Sequence, residues 1–133
     1  MESPITSCTN NDAKIYPETL YYAKRVSQGG GQPVFKRLMP DGDPERLSPN
    51  PSLKLRDHSP DGFQWSYCGS GPAQLALALL LDATTDPEVA QEYYQDFKFD
   101  KVATWGESWQ ITRSEILLWI QFTKDQRFQA EKN

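Results

Sequence analysis

The chain predicts an α+β fold, a small N-terminal antiparallel sheet packed on about three C-terminal α-helices. Three observations carry this. Short aromatic runs punctuated by glycine and proline fill the first half, a leucine-rich segment follows Pro72, and two helix-start signals stand at Asp86-Pro87 and at Thr112 with Glu115. With 133 residues the chain can bury one core and not a second independent one. The expected layout is a disordered tail over 1–13, a single domain over 14–123 and a polar C-terminal tail over 124–133.

The first strand is expected over 20–26, where Tyr21, Tyr22 and Val26 suit a pleated surface. Gly29, Gly30 and Gly31 allow the reversal, and 33–39 is the return strand of a hairpin. Lys24, Arg25, Lys36 and Arg37 would then form a small basic patch, of the kind that guards a solvated sheet edge. Four prolines over 40–51 predict a loop without regular structure. Leu53 and Leu55 alternate with Lys54 and Arg56, which suits a short third strand. After the turn at 59–62, Phe63, Trp65 and Tyr67 alternate with Gln64, Ser66 and Cys68, which reads as an aromatic strand.

Helix A is expected to start near Pro72, capped by Ser70 or Gly71, and to run to about Ala83. Its leucines spread around the axis and leave only Gln74, Ala78 and Asp82 to face water. Each buried leucine is worth roughly 1.5–3 kcal/mol, so a charge such as Leu79→Asp should unfold the domain. Helix B opens at the Asp86 cap with Pro87 and Glu88 in its first turn, and is expected to end by Trp105-Gly106. Val89, Ala90, Tyr93, Tyr94 and Phe97 make its apolar stripe, while Glu88, Glu92 and Asp96 stack at i, i+4, i+8 beside Phe99. Thr112 and Glu115 form the capping box of helix C, which continues to Phe122. Ile116, Leu117 and Ile120 serve the core, whereas Leu118, Trp119 and Phe122 point away and need another partner.

Composition narrows the function. The net charge of −4 counts against nucleic acid as a default partner, because neutralising phosphates takes a basic surface. Acidity is uneven: residues 1–58 carry eight Lys/Arg against seven Asp/Glu, and residues 59–133 six against eleven. No apolar stretch approaches the roughly 20 residues that cross a bilayer, and no secretory leader is visible, so a cytoplasmic protein without a membrane partner is expected. Cys8 and Cys68 are the two cysteines and His58 the single histidine, too few for a Cys/His zinc site, and no metal or cofactor is expected.

The run His58-Ser59-Pro60, Gly62-Phe63, Trp65, Gly69-Ser70-Gly71-Pro72 and Gln74-Leu75-Ala76-Leu77-Ala78-Leu79-Leu80 resembles an uncharacterised family of small prokaryotic, phage and plasmid proteins, a domain of unknown function. The likeness extends less sharply through Tyr94-Gln95-Asp96-Phe97-Lys98 and through Trp109, Thr112, Glu115 and Ile116. Glycine is usual in that family at the position held by Cys68. The resemblance implies no established activity, substrate or cofactor.

Two candidate sites and one disfavoured chemistry follow from the residues. Gly69, Ser70 and Gly71 before helix A could offer backbone N–H groups to a phosphate or carboxylate, with Arg56 and His58 supplying charge and Trp65 or Tyr67 stacking a ring. The bland alternative is that these glycines only let helix A drop into the core. Leu118, Trp119, Phe122, Glu92, Asp96 and Phe99 could instead form an interaction surface for an unknown protein partner or a second copy. Asp57, His58 and Cys68 admit a thiol arrangement, but no convincing catalytic set emerges. An accessory or regulatory protein acting by macromolecular interaction is the leading expectation, an enzyme the least favoured.

Overall fold

In a computed structural model of the chain, residues 18–27 and 29–132 are described. The tail expected over 1–13, with Cys8, lies outside them. The fold is α+β. Its elements run β1 (Thr19–Lys24), β2 (Phe35–Leu38), β3 (Glu45–Arg46), α1 (Asn50–Leu55), α2 (Ser70–Thr84), α3 (Pro87–Asp100), a 3-10 turn (Val102–Thr104), β4 (Ser108–Thr112) and α4 (Arg113–Lys132). The strands form one sheet in the order β3-β2-β1-β4, antiparallel throughout.

The predicted hairpin forms, with Tyr21 opposite Lys36 and Tyr22 opposite Phe35. Its turn is held by the buried Gln32, whose Oε1 accepts from the Val26 N–H at 2.9 Å and whose Nε2 donates to Ser27 O at 3.2 Å. Strand alternation divides the expected basic patch. Lys36 turns inward and reaches Asp82 at 2.7 Å, and Arg25 turns to Gln64 and Glu107, while Lys24 and Arg37 stand on the outer face.

Four elements differ from expectation. The third strand is Glu45–Arg46, inside the segment 40–51 expected to be irregular. Leu53 and Leu55 belong to α1, because four alternating residues cannot distinguish a strand from a helical turn, and Pro51 fits a helix's first turn. Phe63, Trp65 and Tyr67 do not form a strand: one bridge joins Phe63 to Gln32, and the chain then bends at Ser66, whose φ is 83°. The bend buries Phe63 and Trp65 and leaves Tyr67 half exposed. The fourth strand is Ser108–Thr112, which pairs with β1 and places Trp109 and Ile111 inward.

Helix α2 is the centre of the core, with Leu75, Leu77, Leu79 and Leu80 fully buried. The stripe expected to face water does not do so. Gln74 and Ala78 are buried, and Asp82 accepts from the Tyr21 hydroxyl at 2.7 Å as well as from Lys36. Helix α3 starts as predicted, Asp86 Oδ1 accepting from the Glu88 and Val89 N–H groups at 3.0 and 3.2 Å. It ends at Asp100, earlier than Trp105-Gly106, and the 3-10 turn fills the difference. At α4 both halves of the capping box form: Glu115 N–H donates to Thr112 Oγ1 at 3.1 Å, and Thr112 N–H to Glu115 Oε1 at 2.8 Å. The helix does not stop near Phe122 but continues to Lys132. Arg127 holds the extension, bonding Glu92 at 3.2 Å and Asp96 at 2.7 Å on α3 and lying over the Tyr93 ring at 4.4 Å.

Candidate functional site

The glycine loop is built from three segments: the hairpin turn, the loop 59–67 and the start of α2. Tyr67, Ser70 and Gly71 line a hollow of about 170 Å³ together with Ser59, Asp61 and Gln64. The other ligand candidates are placed elsewhere. Arg56 donates from Nε to Gln91 at 3.2 Å. The His58 ring nitrogen Nε2 lies 2.7 Å from the Tyr94 hydroxyl, and the His58 N–H donates to Gln74. Trp65 is buried, its indole N–H given to Gly106 O at 2.7 Å and its ring covered by the Arg25 guanidinium at 4.8 Å.

The glycines have a packing role at this loop. A Cβ on Gly71 would stand 2.6 Å from Gln64 Cβ, and one on Gly69 2.5 Å from the Tyr67 ring. Gly31 across the hollow lies against the Asp61 carbonyl, where a Cβ would come within 2.2 Å. These close approaches let the hairpin turn, the aromatic loop and α2 meet. Cys68 is exposed and the His58 ring is engaged by Tyr94, so a thiol arrangement of Asp57, His58 and Cys68 has no hydrogen-bonded base. Among the described residues no group of three or more His, Cys, Asp and Glu side chains is gathered to hold a metal ion.

Sequence reasoning missed the residue that fixes this region. Gln74 is fully buried in α2, and its Oε1 accepts from the His58 and Ser59 N–H groups at 2.8 and 3.1 Å while its Nε2 donates to Ser52 Oγ at 2.9 Å. One amide thus joins α1, the loop and α2. The available signal was a lone amide inside an otherwise apolar helix, a residue type that is buried only when its donors and acceptors are matched.

The second candidate surface is the outer side of α3 and α4. Leu118 and Phe122 are 69% and 60% exposed one helical turn apart, Phe99 on α3 is 56% exposed, and Phe128 further along α4 is 57% exposed. Trp119 does not join them: it is buried, packs edge-on against Phe97 at 5.0 Å and donates to Asp100 at 3.0 Å. Glu92 and Asp96 lie on the surface but are paired with Arg127.

A family model described as a family of unknown function, DUF6166, matches residues 23–122. The chain belongs to that family. The DUF6166 match takes in the sheet from within β1 onward, all of α1 to α3 and the first half of α4. No curated protein and no solved structure matches the chain. No helix among the described residues is long and apolar enough to cross a membrane.

Proposed function

We propose that this DUF6166 protein acts by binding another macromolecule, as an accessory or regulatory protein and not as a catalyst. The observation that carries the reading is the exposed apolar stripe of Leu118 and Phe122 one turn apart on α4. Aromatic and leucine side chains set among charges are typical anchors of protein interfaces, and exposing them in water costs solvation that a partner recovers. The groups that would serve catalysis are otherwise employed, the His58 ring on Tyr94 and the Glu92 and Asp96 carboxylates on Arg127. The reading includes a cytoplasmic setting in a prokaryote, phage or plasmid-bearing cell, supported by the likeness of the segment 58–80.

The test compares the wild-type chain with the Leu118→Lys/Phe122→Lys double variant by light scattering and by capture from an extract of the source cell. A defined partner or a second copy held by the wild type and released by the variant, at an unchanged melting temperature, is the expected result. A melting-temperature panel of nucleotides, phosphorylated metabolites and anions supplies the opposing outcome. A reproducible rise there, with capture unaffected by the variant, would replace this reading with a ligand site at Tyr67, Ser70 and Gly71.

A further inference from the structure

The sheet has two faces, and among the described residues the core cluster lies on only one of them. Tyr21, Ala23, Trp109 and Ile111 point into the core, so by alternation Tyr22 and Lys24 on β1, Phe35 and Arg37 on β2, and Ser108 and Gln110 on β4 share the outer face, with the buried Leu20 at its end beside Arg37 and Thr112. Arg46 on β3 joins them, opposite Phe35 and over its ring at 5.8 Å. Tyr22 and Phe35 are stacked, with ring centroids 5.8 Å apart and planes 25° apart. Phe35 covers one side of Tyr22, and the other side looks toward Gln110, its partner in the β4 register. A concavity of about 530 Å³ opens there, lined by Tyr22, Lys24, Val26, Phe35, Ser108 and Gln110 among others. The Trp109 backbone borders it, while the side chain packs inward against Trp65 and Trp105, where its buried indole N–H has no acceptor among the described residues.

The charge of this face is of one sign. Its strand residues include Lys24, Arg37 and Arg46 and no carboxylate. Of the acids around the strands, Glu107 is paired with Arg25 and Glu18 accepts from the Ser114 N–H, while Asp43 and Glu45 share a hollow with Arg37 at the β3 edge, Glu45 on the other parity of the strand. The acidity that made the whole chain a poor partner for phosphate is concentrated after residue 58, where α2, α3 and α4 lie together with β4. Net charge is an average over the surface, and binding follows the local field.

We propose that this open sheet face binds a single-stranded nucleic acid, a base stacking on the free side of Tyr22 within reach of Gln110 and Ser108 while Lys24, Arg37 and Arg46 neutralise the backbone. Stacking platforms on a sheet, flanked by cations, suit single strands because every base has a π-face, and a duplex keeps its bases covered. The polar rim of Ser108 and Gln110 offers donors and acceptors to a base edge. This surface is distinct from the Leu118/Phe122 stripe, so it stands or falls separately from the reading above.

The experiment is fluorescence anisotropy of labelled 12-nucleotide dT and U strands, and of a matched duplex, with the full chain, at several salt concentrations. Expected are single-strand dissociation constants of about 1–100 µM at physiological salt, a salt slope near −2 for three neutralised phosphates, and weaker duplex binding. Tyr22→Ala should weaken the single strand by about tenfold or more. Lys24→Glu/Arg46→Glu, at two exposed positions where folding is not at stake, should weaken it further and flatten the slope. Melting temperatures and solution mass are recorded for each variant, with Leu118→Lys as the control that leaves binding unchanged. Absence of binding at low salt overturns the proposal. So does displacement by polyglutamate with no effect of Tyr22→Ala, which would make the face a general polyanion site, or a dimer dissolved by Tyr22→Ala without oligonucleotide binding, which would assign it to a second copy.

Discussion

Gln74 places two acceptor bonds and one donor bond inside a helix otherwise made of leucine and alanine. Removing the amide strands the His58 and Ser59 N–H groups, and an unsatisfied buried donor costs about 1–3 kcal/mol. Gln74→Leu, which keeps the volume, should therefore lower the unfolding free energy by about that amount in a urea titration, and an unchanged midpoint would mean that water reaches the loop. Tyr21 makes a different kind of demand. Burial, and then its hydrogen bond to Asp82 and the charge of that carboxylate, push its phenol well above the ordinary tyrosine range. The folded chain keeps that proton at pH values where the unfolded chain, with a tyrosine near pH 10, releases it. The contribution is present in full below about pH 10 and is lost as pH rises beyond it, by at most about 1.4 kcal/mol per pH unit. Tyr21→Phe should remove this part of the alkaline slope while costing about 1 kcal/mol at neutral pH through the lost hydrogen bond. Equal slopes for the two proteins would refute the assignment.

At the scale of elements, the helix starts were readable because they are local. Asp86, Pro87 and Glu88, and Thr112 with Glu115, satisfy or complement backbone N–H groups within one turn, so their chemistry lies in a few adjacent letters. Asp86→Ala should cost about 1 kcal/mol, seen as a shift in urea midpoint without a change in slope. Helix ends were less legible. The last turns of α4 are polar, and what holds them to α3 is Arg127, thirty-one residues from Asp96 and thirty-five from Glu92. Arg127→Ala should leave global stability nearly unchanged, since the pair is partly exposed, and should speed amide exchange across residues 124–132. Protection unaltered by the substitution would show that this helix stands without its anchor. The strands β3 and β4 were hidden for a related reason: two residues carry no periodicity, and the five of β4 gain their meaning from pairing with β1, far away in sequence.

Across the whole molecule, the fold sorts the side chains into an outer sheet face with three cations and two stacked aromatic rings, and a helical side with an apolar stripe and half of the acids of the described residues. Leu118→Lys/Phe122→Lys should abolish partner capture and leave oligonucleotide binding intact, while Tyr22→Ala should do the reverse, since distant sites with no shared contacts act independently. The sequence by itself determined the α+β class, the hairpin, the buried leucine helix and the two capped helix starts, because each rests on periodicity or on groups within a turn of one another. Only the tertiary structure decided that Trp119 is buried, that Gln74 clamps the loop instead of facing water, and that Lys36 turns inward while Lys24 and Arg37 remain outside. Those outcomes depend on which elements meet and on the parity of strand pairing, and no local run of residues encodes either.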